Sequence, residues 1–161
     1  MAELAVINSS PFIFLARGGH LDLLPNFYNN VMMPQQVADE LLVRGSVDPA
    51  ARAIEGSTWL HVTRVDTIPA SIEAWGLGAG ESAVLALAAA TPGADAIIDD
   101  LAGRKCGLSL NLHVRGTLGL VLLAKKKGMI PECRPVMEDL MRGGMYLSRR
   151  VLDEALKRVG E

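Results

Sequence analysis

Short apolar runs alternate along this chain with segments of helical period. Leu4 to Ile7 reads as a buried first strand, and Pro11 to Arg17 as a helix whose proline sits in the first turn. Leu21 to Tyr28 reads as a second short helix and Val31 to Met33 as a strand. Pro34 then opens a helix with Val37, Leu41 and Leu42 on one face, which Gly45 ends. Asp48 to Ile54 reads as helical, and Thr58 to Val62, with alternating Trp59 and His61, as a strand. Leu77 to Gly80 is a loop leading into an alanine-rich helix from Glu81 to Ala90. A strand from Ala94 to Ile98, a helix from Leu101 to Cys106, a weak strand from Asn111 to Val114 and a leucine-rich helix from Gly116 to Lys127 follow. Pro131 to Gly143 and Ser148 to Val159 read as two more helices. This alternation predicts an α/β fold, a three-layer sandwich around a central, mostly parallel sheet. We expect one domain over 1–161, with a helical C-terminal segment from about 131 and no internal repeat or low-complexity linker.

The composition narrows the class. The chain has 161 residues, 50% hydrophobic but only 4% aromatic, enough for a core of Ala, Leu, Val and Ile. Its formal net charge of -2 excludes a uniformly basic coat, so contact with phosphates must come from a local patch. Cys106 and Cys133 have neither metal-ligand spacing nor a disulfide framework, which fits a reducing cytoplasm. No basic segment precedes a long apolar run at the N-terminus, so no signal peptide is expected. The longest apolar stretch, Ala83 to Ala90, is too short to span a bilayer.

Chemistry enters where the apolar runs stop. Asn8-Ser9-Ser10-Pro11 follows the first strand and Asp99-Asp100 follows the Ala94–Ile98 run, while helices supply Glu40 and Glu81. In an open parallel sheet ligands bind beyond the carboxyl ends of the strands, so these groups have one crevice to share, and an acidic, metal-binding pocket is the leading expectation. Each residue also has an ordinary role. Asn8 can form a turn. Glu40 can sit in solvent. Glu81 suits a helix start, and Asp99 or Asp100 can cap the next helix. What favours a cation is that adjacent carboxylates repel unless one neutralises them. Lys125 to Lys127 reads as a solvated helix end rather than an RNA groove, and His20, His61 and His113, without ligand spacing, as structural.

Val6 to Ile13, His20 to Leu24, Pro34 through Leu41, Gly78 to Glu81, Ile98 through Arg104 and Gly116 to Gly119 together resemble a PIN domain, specifically a VapC-like prokaryotic subfamily, from about residue 4 to the C-terminus. The resemblance implies a Mg2+- or Mn2+-dependent nuclease that cuts single-stranded RNA in the cytoplasm. It further implies a homodimer and a small antitoxin protein as partner. Carried over by motif, Asn8, Glu40, Glu81 and Asp100 are the metal ligands, with Asp99 the alternative to Asp100. The acids Glu40, Glu81, Asp100 and Asp99 are then the catalytic set. Ser9 and Ser10 are candidate phosphate contacts. Arg104, one turn beyond Asp100, either touches substrate phosphate or pairs with that acid, pairing being the more ordinary role. Asn8 departs from the family pattern, since an Asp usually stands there. Its amide oxygen still coordinates a hard cation, but the lost unit charge is worth up to about 4 kcal/mol before hydration is subtracted. Three classes therefore stand at this point: a metal-dependent ribonuclease, a catalytically weakened PIN domain that binds nucleic acid or protein, and another phosphate-handling α/β domain. The last is disfavoured because no glycine-rich phosphate loop follows a strand.

Overall fold

The computed structural model describes residues 3–161. The first two positions of the chain, which open the segment read above as lacking a signal peptide, lie outside the described residues. Ala5, Val6 and Ile7 of β1 (Leu4–Ile7) are wholly buried, because a central parallel strand is covered on both faces and needs apolar residues at every position. β2 (Asn30–Pro34) and β4 (Asp95–Ile97) flank β1; β3 (Leu60–Thr63) lies outside β2 and β5 (His113–Arg115) outside β4. The order β3-β2-β1-β4-β5 is parallel throughout.

The helices connect these strands. α1 (Ser9–Gly18) and α2 (Leu23–Phe27) follow β1; α3 (Gln35–Leu42) and α4 (Pro49–Gly56) follow β2. α5 (Ala70–Glu73) and α6 (Ala79–Ala90) lead into β4, α7 (Leu101–Ser109) into β5, and α8 (Thr117–Lys126), α9 (Cys133–Arg142) and α10 (Arg149–Arg158) close the chain. From β1 the chain moves outward to β3, then returns across the sheet to β4 and β5. Right-handed crossovers in opposite directions put their helices on opposite faces. Thus α6 covers β1, β2 and β4, while α1 packs with α4 and α9. Phe12, Leu15, Leu85, Ile97, Leu120 and Met137 are fully buried in one continuous apolar cluster. Among the described residues, no helix is long and apolar enough to cross a membrane.

Several boundaries differ from the sequence expectation for local physical reasons. α6 begins at Ala79, with Gly78 as its N-cap, so Ala79 and Gly80 join Glu81 in its first turn rather than standing in a loop. Leu42 is 41% exposed and does not share the buried face of α3, which is formed by Val37, Ala38 and Leu41; it lies about 100° further round the helix. In β3 the buried residue is Leu60, whereas His61 is exposed and Trp59 precedes the strand. α5 is one turn, too short to leave a helical period.

The C-terminus is fastened to the body of the fold. The Glu161 carboxylate accepts hydrogen bonds from Lys125 Nζ at 2.8 Å and from the backbone N–H groups of Cys133 and Arg134 at 2.7 and 3.0 Å. Burial alone would raise its pKa, but these donors win and hold it down to about 2. Lys125 is therefore an anchor rather than part of a solvated face. His20, at 2.8 Å from Asp139, ties the α1–α2 turn to α9, and His61 and His113 are exposed.

Candidate functional site

The reversal of chain direction separates the connections that leave β1 and β4, two adjacent strands, and opens a crevice at their carboxyl ends. Asn8 stands directly after β1, and its backbone N–H donates to the Ile97 carbonyl at 3.0 Å, which brings it beside the end of β4. It is the N-cap of α1, yet its side chain makes no capping bond. Asn8 is 3% exposed, and its Oδ1 is buried without a hydrogen-bond partner. An unpaired buried acceptor costs about 1–3 kcal/mol. The role of a self-bonded turn residue is thus not the one Asn8 plays.

Glu40, Glu81 and Asp100 come from three helices and meet in one electrostatic neighbourhood. α3 packs on α6, and the Glu40 carboxylate lies so close to Gly80 that a Cβ there would stand 2.7 Å from its Oε1. The first turn of α6 is also where a helix favours negative charge. Across α7, a Cβ on Gly103 would come 3.5 Å from Glu81 Oε2. Gly80 therefore gives Glu40 its room, whereas at Gly103 a Cβ would press on Ile98 Cγ2 at 3.0 Å and only touch Glu81. Glu81 has its pKa raised, first by burial, then by the charge of Asp100 and then by that of Glu40. Asp100 additionally caps α7, accepting from the Gly103 N–H at 3.1 Å. The cap and the shared charge coexist on one carboxylate.

Asp99 turns elsewhere. Its two oxygens accept from the backbone N–H and the hydroxyl of Thr117, each at 2.7 Å, so it pins the start of α8. Of the adjacent pair, Asp100 is the one whose charge acts on Glu81. Arg104 does not pair with Asp100 or with any other carboxylate among the described residues; it is exposed and lies beside Gly116. Ser9 and Ser10 occupy the first turn of α1, both half-buried. Ser10 lines a groove of about 770 Å3 that also includes Glu81, Asp99, Asp100 and Arg104.

A family model described as a PIN domain matches residues 4–161. The chain belongs to the PIN domain family. Neither the curated proteins nor the solved structures give a significant match. The PIN fold is of nuclease type, and PIN domains generally depend on a divalent metal. Among the described residues no three His, Cys, Asp or Glu side chains form a ready-made metal cage. Mg2+ does not need one, because it binds through one or two carboxylates and keeps several waters. The residues fit such an ion in two respects: Asn8 Oδ1 is a hard oxygen donor without a partner, and the mutual repulsion that raises the Glu81 pKa is what a cation would relieve.

Sequence reasoning missed part of this PIN domain's groove. Arg115, Tyr146 and Arg158 line it together with the acids. Nothing marks Tyr146 or Arg158 in the sequence, because both reach the groove only when the α9–α10 segment folds back. Asp95, 2% exposed, was also not legible as a partner. It accepts from the Tyr28 hydroxyl at 2.7 Å and lies 3.6 Å from Arg115 Nε. Burial and this hydrogen bond raise the Tyr28 pKa.

Proposed function

We propose that this PIN domain, taken as a single unit over the whole chain, is a metal-dependent endoribonuclease of the VapC type that cuts single-stranded RNA. In this reading it is the cytoplasmic, homodimeric toxin partner of a small antitoxin protein. The observation that carries the reading is the closeness of Glu40, Glu81 and Asp100, whose charges help raise the Glu81 pKa; the unpartnered Asn8 oxygen at the end of β1 supports it. Asn8, Glu40, Glu81 and Asp100 would hold Mg2+ or Mn2+, while Asp99 supports them by fixing the start of α8. A divalent ion there supplies Lewis acidity for water activation and positive charge for the leaving oxygen. The chain's own groups bind and orient the strand: Arg104 and Arg115 offer charge to its phosphates, and Ser9 and Ser10 offer hydroxyl donors at the N-terminus of α1.

Asn8 favours a second reading, a catalytically weakened PIN domain that binds nucleic acid, because one negative charge is missing beside three acids. Incubating the protein with a single-stranded RNA and Mn2+ or Mg2+ separates the two. The nuclease reading expects internal cleavage that EDTA abolishes and Asp100→Asn reduces by up to about a thousandfold, since one unit charge at contact is worth up to ~4 kcal/mol. Retention of the RNA without cleavage in either metal would leave only the binding reading.

A further inference from the structure

The groove carries charge of both signs. Glu81, Asp99 and Asp100 line it together with Arg104, Arg115, Arg158 and Tyr146. Arg104 and Arg158 are exposed and have no carboxylate within ion-pair distance among the described residues. Arg115 is held at its base by the buried Asp95, with Nε 3.6 Å from that carboxylate. Unpaired cations beside an acid cluster suit a polyanion that must pass the acids without being repelled.

Tyr146 is built into the same wall. Gly144, at φ +113°, turns the chain after α9, and the Met145 N–H then donates to the Leu140 carbonyl at 3.0 Å. Met145 is 8% exposed and Leu147 packs against the core, whereas Tyr146 between them is 86% exposed. Its two neighbours anchor the loop while the ring is presented to the groove. An exposed ring beside free arginines is the composition of a single-strand track, where bases stack on aromatics and cations follow the backbone.

We infer that Tyr146 is the stacking platform for one unpaired base of the RNA, with Arg104 and Arg158 gripping neighbouring phosphates, so that the C-terminal segment selects single strands. The inference rests on the ribonuclease reading and adds to it the residue that reads strandedness. A duplex cannot offer a base face to Tyr146 without opening. Because Tyr146 is exposed, its replacement leaves the core untouched.

The test is binding of a labelled single-stranded RNA decamer at low salt in EDTA, followed by fluorescence anisotropy, with cleavage of the same RNA in Mn2+ measured separately. Tyr146→Ala should weaken binding about tenfold, as alanine substitution of a stacking aromatic does, and Tyr146→Phe should restore it. Binding of duplex RNA should be the same for all three proteins. An abasic site moved along the decamer should cost wild type about as much at one position as Tyr146→Ala does, and cost the alanine variant nothing there. Equal decamer affinity for wild type and Tyr146→Ala would overturn the platform, while Mn2+-dependent cleavage by wild type would leave the ribonuclease reading standing. Failure of wild type both to bind and to cleave the decamer would overturn both.

Discussion

Replacing Glu81 by glutamine is expected to raise the melting temperature of the metal-free protein while abolishing cleavage of single-stranded RNA. Both effects come from one carboxylate. Glu81 is half-buried, and burial, Asp100 and Glu40 all oppose its ionisation, so its charge works against the fold when no cation is present. Glutamine keeps the size and removes the charge. The sign with pH follows from the raised pKa. The native state holds the Glu81 proton to higher pH than the unfolded chain does, so the contribution of Glu81 to metal-free stability is most favourable below the usual glutamate range. It falls as pH rises through the native Glu81 pKa. Glu81→Gln should flatten this part of the profile, and saturating Mn2+ should flatten it in wild type by neutralising the cluster. Cleavage should fall by up to about a thousandfold, because an interaction worth up to ~4 kcal/mol per charge is lost where the ion is held. Thermal melts between pH 4 and 8, with and without Mn2+, check the stability half of the expectation. A variant no more stable than wild type in EDTA at neutral pH would mean that Glu81 is not strained by its neighbours.

Asn8→Asp should act in opposite directions with and without metal. The new carboxylate would stand in a buried position, where Oδ1 already lacks a donor, and would add negative charge beside the end of β4. In EDTA it should lower the melting temperature, since a buried charge without a partner is costly. With Mn2+ or Mg2+ the same group gains a cation. The variant should then bind metal more tightly, by as much as about a thousandfold if the full contact value of ~4 kcal/mol is realised, and should cleave RNA faster. Ligand binding to the native state raises its stability by mass action, so the melting temperature should climb further with added metal in the variant than in wild type. Parallel melts of the two proteins across a Mn2+ series measure this. Equal displacement of the two curves at every concentration would assign Asn8 a purely structural role.

The sheet was legible because central parallel strands leave a mostly apolar signature, interrupted here only by Asp95 in the second of two runs. Ala5 to Ile7 and Ala94 to Ile98 are buried at every position, and the polar residues that end them fall at the switch point. Glu81 at a helix start and Asp100 after a strand were expected to face one crevice, while Glu40, in the last turn of α3, comes close to α6 through the packing of those two helices. The room that Gly80 leaves for Glu40 was not legible, because close approach is a property of packing between α3 and α6. The choice between Asp99 and Asp100 also needed three dimensions. Adjacent residues after a strand leave in different directions, and only the position of Thr117 reveals that Asp99 is occupied. Arg104 read as the more ordinary ion-pair partner of Asp100, but Asp100 spends its side chain on the Gly103 N–H and the arginine stays free. Tyr146 and Arg158 were hidden for the reason that hides most long-range sites: they lie far from the acids in sequence and join them only through the folded C-terminal segment.

Titration of Mn2+ into the metal-free protein, read by the loss of the free-ion electron spin resonance signal, addresses the shared site most directly. Wild type should remove Mn2+ from solution saturably, Mg2+ should compete, and both Glu81→Gln and Asp100→Asn should weaken binding at least tenfold while remaining folded by circular dichroism. Saturable binding of undiminished affinity in both variants, or none in wild type, would contradict the account.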